Sequence, residues 1–331
     1  MLRRLDASIG VKILVDTCLN IRPHENVLIV TDTNMCDIAE LMAIVASERE
    51  AVVTITTMSP LPAPGMEPPK PVAAAMKAAE VVLMLTTFTL TPSNARQEAQ
   101  EAGARILSLG GYNYEILVSK ALRVDFMAQK PLVEDVARRL TQSKHARVTS
   151  ASGTDLILTL GSREAHASSN ICHTSGTLGS PPDIEAYVAP IEDTAEGVVV
   201  IDGSICLEDF GLIREPIKLI VVKGRVVDIE GDEEATKFKN KIDSFNDSEL
   251  FRIAELGIGL NPKASLIGDP LIDEGVLGTA HVALGLNFTY GGTISDAKTH
   301  IDCVFRKPTI ELDGEFLMKD GVLIGGARAR M

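Results

Sequence analysis

The sequence predicts an α/β fold, with an N-terminal doubly wound parallel-sheet domain over residues 1–145 and a C-terminal β-rich α+β domain over residues 146–331. Three observations predict it. Short apolar runs alternate with helical patterns in the first part; near residue 145 the rhythm changes to strands joined by tight turns; and 331 residues suit two cores better than one.

In the first part the runs fall at residues 27–30, 52–56, 81–85 and 105–109. Continuous apolar strands separated by helices suit a parallel sheet covered on both faces. Helical periodicity fits residues 9–20, 35–47, 92–102 and 131–142, with Pro92 and Pro131 placed where a first turn tolerates proline. The proline-rich stretch 59–69 reads as a stiff loop. In the second part, strands are expected at 155–160 and 197–202, and at 219–222 turning through Lys223-Gly224 into 226–229. A further strand at 309–312 turns at Asp313-Gly314. Glycine after a polar residue supplies the backbone such hairpins need. One helix, over 233–245, interrupts this half.

Composition excludes several classes. Hydrophobic residues at 45% and charged ones at 23% are those of a folded chain. The net charge of −13, with no basic cluster interleaved with aromatics, argues against nucleic acid as a partner. The longest apolar runs, such as 81–85, fall far short of the roughly twenty residues a membrane-crossing helix needs, so no membrane is expected. The start, Met1-Leu2-Arg3-Arg4-Leu5-Asp6, carries no export pattern, and five cysteines without a CxxC pair indicate free thiols in a reducing cytoplasm.

Neither GxxxxGK[ST] nor GxGxxG follows the early strands, and Gly-x-Ser-x-Gly is missing, so the motifs of nucleotide sites and of serine hydrolases are absent. A concentration of metal-type donors remains. His300 and Asp302 project to one face of an extended strand, because side chains there alternate with period two. His281 lies a short segment earlier, and imidazole with carboxylate is the natural donor pair for a borderline divalent ion. Glu255 sits in the apolar stretch Ala254-Glu255-Leu256-Gly257, where an unpaired carboxylate is expensive to bury unless a cation joins it. Each also has a plain reading: His281 as a core histidine bonded to a carbonyl, Glu185 as a solvated loop residue.

The string Gly278 to Gly285 (GTAHVALG), Asn287, Gly291-Gly292 and His300-Ile301-Asp302 resembles the C-terminal signature of the aminopeptidase T/S metallopeptidase family. Gly153-Thr154-Asp155-Leu156, residues 182–190 and residues 255–262 extend the resemblance over most of 150–315, in the family's order. It implies a site for one or two divalent ions (Zn, Co or Mn) held by Glu185, Glu255, His281, His300 and Asp302. Glu185, Glu255 and His281 are then the catalytic candidates, and the activity is hydrolytic removal of N-terminal residues from small peptides. The family's tyrosine ligand falls on Phe288, with Tyr290 two residues on, and the first half is shorter than in those peptidases. Both departures resemble the sister branch of 2,5-dihydroxypyridine 5,6-dioxygenase-like proteins. There the resemblance implies one non-haem Fe(II) bound by two histidines and an aspartate, with His300 and Asp302 matching and Glu255 at the second histidine's place. Three readings are therefore set out: the hydrolase first, the ring-cleaving dioxygenase as its alternative with His281 as ligand or acid/base, and a non-catalytic binding protein with a relic site, which Phe288 favours. The resemblance further implies a homo-oligomer acting on a small molecule or short peptide.

Overall fold

The apolar runs of the first half become the strands of one parallel sheet. The computed structural model describes residues 2–207 and 209–325, the first three of these by backbone alone. The chain divides into two compact units, Met1–Met127 with Asn170–Pro182, and Ala128–Ser169 with Asp183–Met331. Both are discontinuous in sequence, a feature that a change of period along the chain has no means of marking.

In the first unit, β1 (Asn26–Asp32), β2 (Val52–Met58), β3 (Val81–Leu85) and β4 (Arg105–Ser108) lie in the order β2-β1-β3-β4, with the two-residue strand Leu178–Gly179 beyond β4, every pairing parallel. Helices α1 (Leu2–Lys12), α2 (Cys36–Ser47), α3 (Lys70–Ala78) and α4 (Asn94–Glu101) accompany them. Alternate residues of the central strands (Leu28 and Val30, Val82 and Met84, Ile106) pack against Val72 and Met76 of α3 and Ala95 and Ala99 of α4. The expected α/β class is what the structure shows, with differences of detail. The first helix begins at Leu2 and its last turn widens into a π-helix at Ile13–Cys18. Helix α3 follows the proline-rich loop and was not expected from the sequence; Pro71 sits in its first turn, where no partner N–H is missed. Pro131 lies inside the helix Phe126–Gln142, not in its first turn.

The second unit holds two antiparallel sheets. The larger has eight strands, among them the expected hairpin Ile217–Val222 to Arg225–Glu230, whose turn residues Lys223 and Gly224 have φ of 48° and 71°. Two successive positive φ values give the turn whose twist matches the flanking strands. The smaller sheet has seven strands and carries β5 (Glu185–Val188), β6 (Ile253–Gly259), β7 (Thr279–Gly285) and β8 (His300–Arg306). Its order is Gly211–Leu212, Ser204–Ile205, β8, β7, β6, β5, His166–Ser168. Strands β6 and β7 are buried along their whole length. Among the described residues no helix is long and apolar enough to cross a membrane.

Candidate metal centre

Strand register assembles the site. Residues directly opposite one another in antiparallel strands point to the same face. Glu255 on β6 pairs with Ala283 on β7, and Ala283 with Asp302 on β8; Gly257 pairs with His281 and, on its other side, with Tyr187; Gly259 pairs with Glu185, and Gly285 with His300. Four neighbouring strands therefore aim Glu185, Glu255, His281, His300 and Asp302 at one face. The small residues between them make room. At Gly257 an added Cβ would lie 1.9 Å from Nε2 of His281, so the imidazole occupies the volume that any other residue's side chain would need.

All five residues singled out in the sequence meet here. Nε2 of His281 is 3.3 Å from Oε2 of Glu185, 3.3 Å from Oε1 of Glu255 and 3.7 Å from Oδ1 of Asp302. Nε2 of His300 is 3.1 Å from Oδ1 of Asp302 and 3.6 Å from Oε2 of Glu255. Two triads result, Glu185–Glu255–His281 and Glu255–His300–Asp302, each with its donor atoms within 4.8 Å of one another, and Glu255 belongs to both.

The triads differ in how their imidazoles are held. Nδ1 of His300 donates to the Leu286 carbonyl at 2.7 Å, which fixes the ring's orientation and points Nε2 at the carboxylates, where it is hydrogen-bonded to Oδ1 of Asp302 at 3.1 Å. Nδ1 of His281 has no hydrogen-bond partner among the described residues, and neither has Oε2 of Glu185. A buried carboxylate oxygen left without a donor is what a cation satisfies. The donor set, imidazole nitrogen with carboxylate oxygen, fits a divalent transition-metal ion.

Electrostatics agree. Burial first, then repulsion from Asp183 and Glu255, hold the Glu185 carboxyl well above the usual carboxylate range. Burial likewise pushes Asp183 up to about 7 and raises Glu274, which Asp302 and Asp183 also repel. For Asp302 burial works upward, but the charge and hydrogen bond of His300 outweigh it and bring the carboxyl down to about 2. Burial lowers His300, yet Asp302 and Glu255 raise it to about 10. So many acids in one buried place carry more negative charge than the interior tolerates, the pattern of a site built for a cation.

Other residues are located too. Phe288 stands 47% exposed, whereas the ring of Tyr290 meets His300 edge-on at 5.3 Å between centroids, so the tyrosine beside the site is Tyr290. Asn261 accepts from the Lys263 amide and shapes a turn, and Asn287 is wholly buried in the loop before β8. Sequence reasoning missed Asp183, Glu274, Tyr187 and the role of Gly257. Asp183 and Tyr187 lie at alternate positions with Glu185, a signal that was present; Glu274 follows a four-residue helix and left none.

Fold and site together define a metalloenzyme. The chain belongs to the 2,5-dihydroxypyridine 5,6-dioxygenase family: the family model described as "NicX: 2,5-dihydroxypyridine 5,6-dioxygenase" matches residues 16–325. A 2,5-dihydroxypyridine 5,6-dioxygenase of Pseudomonas putida (strain KT2440) is 28% identical over 268 residues, covering 78% of this chain and 75% of that protein. Among solved structures, 2,5-dihydroxypyridine dioxygenase from Pseudomonas putida KT2440 superposes with a TM-score of 0.84 at 21% identity, over 98% of each chain. Wild-type AmpT from Thermus thermophilus gives 0.71 at 16% identity, over 97% of this chain and 99% of that one. At these identities the two structures speak to the fold. The hydrolase reading, placed first from the sequence, gives way to its dioxygenase alternative, because the family match and the curated relative both lie on that branch.

Proposed function

We propose that this chain is a ring-cleaving oxygenase of a dihydroxylated heteroaromatic such as 2,5-dihydroxypyridine, with a divalent iron held by Glu255, His300 and Asp302. The observation that carries the reading is His300: its ring is held by the Leu286 carbonyl, and its Nε2 stands between Asp302 and Glu255. The family match and the name of the Pseudomonas relative support the substrate class. When bound, the iron supplies the redox and Lewis-acid chemistry that ring opening by dioxygen requires.

The chain's own groups prepare the reaction. Asp302, strongly acidic beside His300, stays ionised and acts only as an acceptor. Glu255 supplies the second carboxylate. Glu185 and His281, buried with Oε2 and Nε2 3.3 Å apart beside the triad, are placed to take up or return the proton of a substrate hydroxyl. Cytoplasmic location and self-association belong to the same proposal.

The test is oxygen uptake by Fe(II)-loaded protein with 2,5-dihydroxypyridine, followed together with loss of the ring's ultraviolet absorption. Uptake in step with ring loss, abolished in Asp302→Ala, is expected. Equal turnover with and without air overturns the reading. One observation speaks for a hydrolase, the second triad Glu185–Glu255–His281. Two equivalents of bound metal and cleavage of aminoacyl amides with Co, Mn or Zn would mark that chemistry; one equivalent of iron and no cleavage mark the oxygenase.

A further inference from the structure

Aromatic residues are scarce in this chain, 4% of the whole with four tyrosines and no tryptophan, yet rings gather at the metal centre. His166 stacks on Tyr187 at 5.1 Å with 23° between planes; Tyr187 meets Tyr290 edge-on at 5.4 Å; and Tyr290 meets His300 edge-on at 5.3 Å. The row ends on a residue of the metal triad. Tyr187 lies opposite Gly257 in the same register that aims His281 inward, so its ring rises from the site's own face of the sheet. Both tyrosines are only half-buried, which sets them apart from the fully buried rings of the two cores such as Phe126 and Phe305.

The position of Tyr290 is held firmly. Its amide donates to the Asn287 carbonyl at 2.9 Å, and the Asn287 side chain accepts from Ile294 at 2.7 Å and donates to Glu192 at 3.1 Å. Glu192 also accepts from the Thr293 amide at 2.7 Å and is paired with Arg163 at 3.0 Å. A loop bonded in this way presents its ring as a fixed surface, and fixed aromatic surfaces favour flat partners that stack or meet them edge-on.

We propose that Tyr290 and Tyr187 form an aromatic wall beside the metal centre that binds the ring of a planar aromatic ligand and so selects against aliphatic ligands offering the same metal-binding oxygens. The inference rests on the oxygenase reading and adds the residues that would set its substrate class. A wall of this kind predicts a ring-specific loss on truncation, of about 2- to 12-fold per tyrosine removed.

Calorimetric titration of the full chain loaded with Co(II) tests it, using catechol as a planar two-oxygen ligand and acetohydroxamate as an aliphatic one. Tyr290→Leu and Tyr187→Leu should each weaken catechol several-fold and leave acetohydroxamate within about 2-fold, while Tyr290→Phe keeps the affinity for catechol. Equal weakening of both ligands in the leucine variants overturns the wall, because a residue that merely positions His300 would affect them alike. Catechol binding unchanged in both leucine variants overturns the wall alone and leaves the oxygenase reading standing. Wild-type protein that binds cobalt and acetohydroxamate but not catechol overturns both. Cobalt uptake and a thermal melt of each variant report folding; if Tyr290→Leu does not fold, Tyr187→Leu decides by the same criteria.

Discussion

Strand β3 of the first unit and strand β7 of the second are both buried along their whole length, but they use that burial differently. In β3 every residue is apolar, Val81-Val82-Leu83-Met84-Leu85, and burial serves only to remove hydrocarbon from water. In β7 the run Thr279-Ala280-His281-Val282-Ala283-Leu284-Gly285 hides an imidazole, and β6 beside it hides Glu255. Buried charge is costly unless paired, so the ionisable groups of the second sheet are placed to face one another. The contrast teaches that an interior can be read by what it tolerates: the first sheet buries hydrocarbon alone, and the second buries ionisable groups of the kind that chemistry uses.

Substitutions can break that contrast or sharpen it. The largest effect is expected at the metal triad: Asp302→Ala or His300→Ala should abolish metal binding and turnover, measured by titration and oxygen uptake. Next comes the opposite case. Leu83→Ala, in the fully buried β3, should destabilise the protein by about 2–5 kcal/mol in urea unfolding and leave metal affinity unchanged. If it also weakened metal binding, the division between the two sheets would fail. Gly257→Ala should lower metal affinity by about 10- to 100-fold, because its Cβ would displace the His281 ring.

A smaller effect is expected at Glu192, with a definite sign. Burial pushes its carboxyl up, but hydrogen bonds from Arg163, Thr293 and Asn287 outweigh burial and bring it down from 4.5 to about 2. A depressed acid contributes stability that is present above its unfolded value and is lost as pH falls through the folded value, here between 4.5 and about 2. Glu192→Gln should therefore cost about 1–2 kcal/mol at neutral pH, and the gap from wild type should close as pH falls through that window. A constant gap in thermal melts across those pH values would contradict the assignment. Smallest of all is Lys77→Ala, whose partner Glu98 is as exposed as itself; it should change stability by less than about 0.5 kcal/mol.

Much of this was legible in the sequence, for physical reasons. The strands of the parallel sheet announce themselves because burial on both faces demands unbroken apolar runs, as at 81–85. His300 and Asp302 are two residues apart on a strand, so their shared face follows from the pleat alone. Glu255 was marked by the cost of its apolar surroundings. What could not be read was set by contacts distant in sequence. Helix α3 hid behind prolines that suggested a loop. Gly257 looked like any glycine until register placed His281 across from it, and Glu274 and Asp183 joined the acid cluster only through the folded sheet. The choice between hydrolase and oxygenase was likewise beyond the ligands themselves, since both chemistries use the same donor types.

Anaerobic calorimetric titration of Fe(II) into chelator-treated protein, wild type beside Asp302→Ala, bears most directly on whether Glu255, His300 and Asp302 grip an ion. Saturable binding of one equivalent in the wild type, absent from the variant, is the expected result. No binding to the wild type, or the same binding by both proteins, would contradict the account.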